Sequence, residues 1–131
     1  MKVSELQEGL LDYWVAKALG DREISMRDGK CESRFHPDFD FHLFSPTVAW
    51  HEAGPIIQAN NIQIGPPTGA VHRYGGPNAG WGPSGFWSAC TWHAGVDGKR
   101  AFGHDKDSPL VAAMRCYVML KFGREVPEVT Q

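Results

Sequence analysis

The chain has 131 residues, of which 42% are hydrophobic and 21% charged, and its 13 Lys+Arg against 15 Asp+Glu give a formal net charge of -2. These values are typical of a globular protein, so we predict one domain over 1–131 and exclude a disordered, fibrous or coiled-coil chain. The net charge argues against a protein specialised for binding duplex nucleic acid or an anionic membrane, although a local basic groove is compatible with it. Apolar runs stay well short of the roughly 18 residues of a membrane span, and Glu5 and Glu8 stand where a secretory signal would be apolar, so we expect a cytoplasmic protein.

A helix is predicted over residues 4–19, near the start of the chain. Ser4 followed by Gln7 has the spacing of a capping box. In this motif the Ser hydroxyl accepts the backbone amide of the Gln, and the Gln side chain accepts the backbone amide of the Ser. Leucine, tyrosine and tryptophan then recur every three to four residues, and Gly20 suits a left-handed end.

A second helix is predicted from Ser108 to about Phe122. Ser108 supplies a capping hydroxyl, Pro109 suits the first helical position, and Gly123 suits the end. The pattern places an apolar stripe on the core side and directs Arg115 and Lys121 away from it. The stripe consists of Leu110, Val111, Met114, Tyr117 and Val118.

Between the helices, the apolar residues change to a period of two, which is typical of strands. The strand candidates are 55–58 (PIIQ), 61–64 (NIQI) and 86–93 (FWSACTWH), and a hairpin turn at 96–99 leads to a short strand at 100–102. Residues 65–85 contain seven Gly and four Pro in 21 positions, which predicts a long loop. We therefore predict an α+β domain with a small, mostly antiparallel sheet, an N-terminal and a C-terminal helix, and a long Gly/Pro-rich loop.

Histidines and carboxylates recur along the chain without forming a recognised catalytic motif. His36, Asp38, Asp40 and His42 would share one face of a strand, but neighbours on that face lie about 7 Å apart and four in a row cannot reach one metal ion. We favour an edge strand there, with Phe39, Phe41 and Leu43 packed inward. His51-Glu52 and His104-Asp105 pair a base with a carboxylate, yet adjacent strand residues face opposite ways. Cys31, Cys90 and Cys116 have no metal-binding spacing and are expected to be buried or unremarkable thiols. No catalytic residue, metal or cofactor is predicted.

The Gly/Pro-rich loop has a composition that suits contact with a ligand. Its glycines leave backbone amides open to phosphate or carboxylate oxygens, and Trp81 offers a ring on which a planar base can stack. Arg73 and Tyr74 lie in the same stretch. The alternative is a surface loop whose Trp81 packs into the core.

Four motifs resemble the NinX-like family of small phage proteins of unknown function: residues 1–20 (MKVSELQEGLLDYWVAKALG), 45–58 (SPTVAWHEAGPIIQ), 92–94 (WHA) and 108–128 (SPLVAAMRCYVMLKFGREVPE). The family's central motif resembles SPSTDWAQGGPII, so Val48 and Ala49 replace a Thr-Asp pair. The resemblance implies a phage origin and a bacterial cytoplasm as the site of action. It brings no established activity.

We expect a phage accessory protein that sequesters a nucleotide-derived small molecule, such as a cyclic nucleotide or an ADP-ribose-type immune signal, to counter host defence. The ligand would lie between the central motif, the Gly-rich loop and the WHA strand, in a homo-oligomer. The predicted ligand-binding residues are Trp50, His51, Gly54, Pro55, Arg73, Tyr74, Trp81, Trp92, His93 and Ser108. The alternatives are an enzyme that cleaves a phosphoester of such a signal and an inhibitor that binds a host protein, and a nucleic-acid role is disfavoured by net charge.

Overall fold

The structure is a computed structural model that describes residues 1–67, 70–73, 80–83 and 85–129, with the backbone alone described at 70–73 and 80–83. In the described residues, a 3-10 turn at Val3–Glu5 precedes helices α1 (Glu8–Leu19), α2 (Trp50–Ala59) and α3 (Pro109–Phe122). The strands are β1 (Glu23–Arg27), β2 (Lys30–Arg34), β3 (His42–Leu43), β4 (Gln63–Gly65), β5 (Ala70–Arg73), β6 (Gly80–Pro83), β7 (Trp87–Ala94) and β8 (Arg100–Asp105). Every strand pair is antiparallel, with orders β1-β2-β3, β4-β7-β8 and β5-β6. The α+β class and the two terminal helices are confirmed.

The first helix begins four residues later than predicted. Val3 and Leu6 are both fully buried, and the amide of Val3 donates to the carbonyl of Arg124 at 2.9 Å. These contacts hold the chain in the 3-10 turn, so the capping box of Ser4 does not form and Gln7 stands at the N-cap without a side-chain hydrogen bond. The predicted end is confirmed, because Gly20 adopts a left-handed φ of 70°.

Helix α3 is the most extensively buried helix of the described structure. Its cap is confirmed, since the Ser108 hydroxyl accepts the amide of Val111 at 3.1 Å. Every residue from 112 to 120 is buried, because α3 contacts α1, α2 and the β4-β7-β8 sheet. The expectation that Arg115 points away from the core is wrong: its guanidinium is buried and hydrogen-bonded within the protein. Lys121 is exposed as predicted.

Strand β7 and the hairpin to β8 are confirmed at the predicted positions. Ala89, Thr91 and Ala101 are buried on the face toward α3. A Cβ atom on Gly103 would collide with the carbonyl of Ala112, so this glycine allows the close approach of helix and sheet. The predicted strand at 61–64 is shifted to Gln63–Gly65.

The predicted strand at 55–58 is wrong, because these residues belong to α2 with Pro55 inside the helix. Ala53 and Ile56 are the buried residues of α2, and their spacing of three places both on one helical face. A run of two isoleucines is too short to separate a buried helix face from a strand by periodicity alone.

The predicted edge strand at 36–42 is reduced to the two residues of β3, and Phe39 and Leu43 are 57% and 56% exposed rather than packed inward. A tight turn forms instead, in which the amide of Phe39 donates to the carbonyl of His36 at 3.0 Å and the amide of Asp38 donates to His36 Nδ1 at 3.1 Å. Pro37 favours this turn because it lacks an amide for a strand ladder.

Two further hairpins lie outside the prediction. Residues 23–34 form β1 and β2, and the predicted loop at 65–85 contains the paired strands β5 and β6. None of the helices formed by the described residues has the length and apolar character needed to cross a membrane.

Candidate functional site

A cleft of about 700 Å³ opens between the β1-β2-β3 sheet, α2 and the C-terminal half of α3. Four aromatic side chains line it: Phe35, Phe39, Phe44 and Tyr117. Its cationic or titratable basic side chains are Arg22, Arg34, His42, His51 and Lys121. Among the described lining residues, Glu52 is the one carboxylate. The lining therefore combines rings with an excess of basic groups.

Arg22 is fixed in the wall by aromatic contacts. Its guanidinium carbon lies 4.7 Å from the ring centroids of both Phe35 and Phe44. The side chain is 12% exposed, and its Nε donates to Asp21 Oδ1 at 2.8 Å. Its second nitrogen also donates to Asp21 Oδ2 at 3.4 Å, so the guanidinium is fixed between two rings and one carboxylate.

Arg34 holds the turn at the mouth of the cleft. Its guanidinium lies 4.3 Å from the ring centroid of Phe41 and donates 3.2 Å hydrogen bonds to the carbonyls of Pro37 and Phe39. Its Nε is also paired with Glu23. Because these bonds occupy its donors, Arg34 shapes the mouth rather than offering a free cation.

The far wall is formed by the last turn of α3. Lys121 is exposed there, with its Nζ 5.8 Å from the ring centroid of Tyr117, and takes part in none of the ion pairs between described residues. Burial raises the pKa of Tyr117, and Asp21 adds to this effect. The phenol therefore stays neutral at physiological pH, and Lys121 is an exposed cation at the wall of the cleft.

Helix α2 is anchored by two carboxylates that bind the turn before it. The amide and hydroxyl of Thr47 donate to Asp12 Oδ1 and Oδ2 at 3.0 and 3.2 Å, and the amide of Ser45 donates to Glu52 Oε1 at 3.0 Å. Asp12 is 4% exposed. Burial raises its pKa to about 7 against the lowering effect of the Thr47 hydrogen bonds, with Glu52 and Glu8 adding to the rise.

Sequence reasoning missed the role of Asp12 in joining α1 to the turn before α2. A signal was present, because Asp12 stands between Leu11 and Tyr13 in a strongly apolar stretch. A carboxylate in such a stretch needs hydrogen-bond partners when it is buried.

The cleft contains two of the predicted ligand-binding residues, His51 and Pro55. Trp50 and Gly54 belong to the same helix but do not line the cleft. Trp92 and His93 are exposed on β7, away from the lining. The side chains of Arg73 and Trp81, and Tyr74 as a whole, lie outside the described residues.

Ser108 stands at the opposite end of α3 from the cleft, about 20 Å from Lys121 by helical rise. The helix start there is already occupied, because Asp105 Oδ2 accepts the amides of Ser108 and Asp107 at 2.7 and 3.0 Å. Asp105 Oδ1 also receives Arg115 at 3.3 Å. This carboxylate takes the place that a bound anion would have.

The possible catalytic pairs are separated by their environments. Burial, assisted by the charge of Arg115, lowers the pKa of His104, while Asp105 is engaged at the start of α3. Glu52 is engaged with Ser45, although it shares the cleft with His51. In the described part of the chain, no three His, Cys, Asp or Glu side chains are grouped to hold a metal ion. Cys31 and Cys116 are buried, whereas Cys90 is exposed.

The four motifs of the sequence lie in α1, in the turn that leads into α2, in β7 and in α3. The hydrogen bonds between Asp12 and Thr47 join the first two motifs directly. The family model described as Bacteriophage P22, NinX matches residues 2–121. The chain belongs to the NinX family. A search of the curated proteins finds no match to it.

The departure from the usual NinX motif falls at a helix cap. Ala49 is the N-cap of α2 and makes no side-chain hydrogen bond there, and Val48 is exposed beside it. The motif that this stretch resembles has an Asp at the position of Ala49, and Asp is a preferred N-cap residue. Neither Val48 nor Ala49 lines the cleft.

Proposed function

We propose that this NinX-family protein is a non-enzymatic binding module whose cleft sequesters a small, anionic, nucleotide-derived molecule. The observation that supports it is the combination in one cleft of aromatic rings, an Arg22 side chain held between two of them, and Lys121, which takes part in none of the ion pairs between described residues. The volume of about 700 Å³ lies in the range of ligand sites.

The two halves of such a ligand match the two kinds of lining group. A base can stack on the exposed Phe35 ring, whose charge partner Arg22 lies on the other face. A phosphate can approach Lys121 from the α3 wall and His51 from α2. Tyr117, whose hydroxyl is neutral, lines the same cleft and offers a hydrogen-bond donor.

Binding without turnover is favoured by the state of the carboxylate in the cleft. Hydrolysis of a phosphoester needs a base or a metal-activated water near the phosphorus. Among the described lining residues, Glu52 already accepts the amide of Ser45 and no cysteine is present, so His42 and His51 are the bases left beside a bound phosphate. The cleft thus has the groups needed to bind the anionic and the aromatic parts of a ligand.

Membership in a phage family supports a role inside the infected bacterium. We propose that the ligand is an immune signal of the cyclic-nucleotide or ADP-ribose type, and that its capture in the host cytoplasm counters defence. Such signals carry both a base and phosphate, which are the groups that this cleft matches.

Calorimetry with a panel of cyclic dinucleotides and ADP-ribose derivatives tests the proposal. We expect one class to bind, and to be recovered intact by mass spectrometry after the protein is denatured. Lys121→Gln and Phe35→Ala should each weaken binding about tenfold, which is the usual effect of losing one charge-assisted or stacking contact. Lys106→Gln, at the other end of α3, is the matched control and should bind as the parent does.

The absence of heat and of a thermal shift with every member of the panel would contradict the proposal. Conversion of the ligand to products would show that the protein is an enzyme and does not merely sequester the ligand.

A further inference from the structure

The β4-β7-β8 sheet has a second face, which points away from α3. Cys90 on this face pairs with Gln63 on one side and Phe102 on the other, and Ser88 pairs with His104. Cys90, Phe102 and His104 are exposed, whereas their neighbours Ala89, Ala101 and Gly103 are buried toward α3. We name this surface the outer sheet face. It shares no residue with the lining of the cleft.

Aromatic rings form the most exposed part of the outer sheet face. Trp92 is 64% exposed and lies where the β7-β8 register shifts between Cys90 and Ala94. Phe102 is 38% exposed, with its ring centroid 5.4 Å from that of His104. A bulge of this kind re-aims a side chain, and here it presents an indole ring to solvent.

The charge around these rings is cationic, in contrast to the net charge of -2 of the chain. The guanidinium of Arg100 lies 5.4 Å from the Trp92 ring centroid, and that of Arg124 lies 5.0 Å from that of Phe102. The three strands contain a single carboxylate, Asp105, and Arg115 pairs with it at 3.3 Å on the α3 side. Arg124 is also engaged with Asp97 of the hairpin turn at 3.7 Å, with Met119 Sδ and with the carbonyl of Arg100 at 3.4 Å, so its guanidinium is held in place beside Phe102.

We propose that the outer sheet face binds single-stranded nucleic acid, with bases stacked on Trp92 and Phe102 and the backbone phosphates close to Arg100 and Arg124. Every base has a π-face, so a row of exposed rings on a sheet binds single strands with little sequence preference. A duplex hides its base faces and offers only phosphate to such a surface. The polar neighbours Gln63 and Ser88 fit the edges of splayed bases better than the apolar core of a protein interface.

The state of His104 agrees with a stacking role. Partial desolvation of the ring and the positive charge of Arg115 lower its pKa, so the imidazole is neutral at pH 7. A neutral ring beside Phe102 extends the aromatic surface without a pH-dependent charge. Binding should therefore change little between pH 7 and pH 8.

The test is fluorescence anisotropy with labelled oligo-dT and oligo-rU of about 12 nucleotides, a length within the site sizes of stacking surfaces, and with a duplex of equal length. We expect both single strands to bind more tightly than the duplex, with an affinity that falls as salt rises. A preference for oligo-rU over oligo-dT would identify RNA as the partner, and the reverse would identify DNA.

Trp92→Ala and Phe102→Ala should each weaken binding about tenfold, whereas Trp92→Phe keeps a ring and should restore most of it. Trp50→Ala is the matched control, because Trp50 is a comparably exposed tryptophan (57%) on α2. It should leave the affinity unchanged.

A second readout needs no variant. The Cys90 thiol is exposed on the outer sheet face, while Cys31 and Cys116 are buried. Bound oligonucleotide should therefore slow the alkylation of Cys90, followed by mass spectrometry.

Three results would overturn the proposal: no binding of either single strand, equal or tighter binding of the duplex, or equal losses for Trp92→Ala and Trp50→Ala. A change of oligomeric state in Trp92→Ala would assign the face to contacts between copies of this chain instead. None of these results bears on the cleft, whose ligand is tested separately.

Discussion

At the scale of single residues, the feature with the clearest consequences is the buried carboxylate of Asp12. It accepts two hydrogen bonds from Thr47 and joins α1 to the turn that positions α2 at the cleft. The negative charges of Glu52 and Glu8 raise its pKa further. The Asp12 carboxylate takes part in none of the ion pairs between described residues. Folding is therefore linked to the protonation of this group.

Asp12→Asn should flatten the pH dependence of stability. The pKa of Asp12 rises from 3.8 to about 7 on folding, so its stabilising effect is complete below pH 3.8 and is lost as pH rises through about 7. The amide of Asn keeps a donor and an acceptor for Thr47 but does not titrate. Raising the pH from 5 to 8 should thus lower the melting temperature of the parent more than that of the variant, as measured by thermal unfolding. Parallel curves would contradict the assignment.

Arg115→Met should lower the free energy of unfolding by about 3 kcal/mol, the cost of breaking a buried ion pair on one side. Arg115 donates to the carbonyl of Leu6 at 2.9 Å, to the carbonyl of His104, and to Asp105. Arg27→Met, on the exposed end of β1, should stay within about 0.5 kcal/mol. Urea unfolding measures both. Equal effects would mean that the buried network contributes nothing specific.

At the scale of elements, α2 is the helix whose start lacks a cap. Ala49→Asp should raise the free energy of unfolding by about 1 kcal/mol, because an Asp at the N-cap accepts an unpaired amide of the first turn. Ala59→Asp puts the same charge at the other end of α2, where the helix dipole is negative, and should destabilise by a few tenths of a kcal/mol. Chemical denaturation distinguishes them, and equal signs would exclude a capping effect.

The packing of α1 against the β1-β2 turn depends on a glycine. A Cβ atom on Gly9 would collide with the carbonyl of Gly29, so Gly9→Ala should destabilise by about 1–3 kcal/mol. Gly54→Ala in α2 meets open space and should stabilise by about 0.5–1 kcal/mol. Thermal unfolding of the two variants compares the same substitution in two helices. A stable Gly9→Ala would show that the hairpin can shift away from α1.

At the scale of the whole molecule, α3 is the element on which the others pack. Residues 112–120 are buried without exception, whereas α2 buries only Ala53 and Ile56. Native-state hydrogen exchange should therefore be slowest in α3 and faster by orders of magnitude in α2, since local opening requires less buried surface to be exposed there. Equal protection of the two helices would mean that α2 opens only with global unfolding.

The sequence by itself determined the elements that carry local signals. Ser108 caps α3, the turn at 96–99 joins β7 to β8, and alternation marks β7, because hydroxyl caps, turn residues and side-chain period act within a few residues. The family was also legible, since its motifs follow the chain order. These features needed no knowledge of distant contacts.

Tertiary structure alone decided the rest. Residues 55–58 are helical because Ala53 and Ile56 pack into the core on one side of the helix. Asp12 is buried because Thr47, 35 positions away, donates hydrogen bonds to its carboxylate. The cleft joins groups from β2, α2 and α3, and the predicted meeting of the central motif with Trp92 and Ser108 is absent from its lining. The physical reason is that burial and long-range hydrogen bonds depend on which surfaces meet in space, and a local pattern carries no record of that meeting.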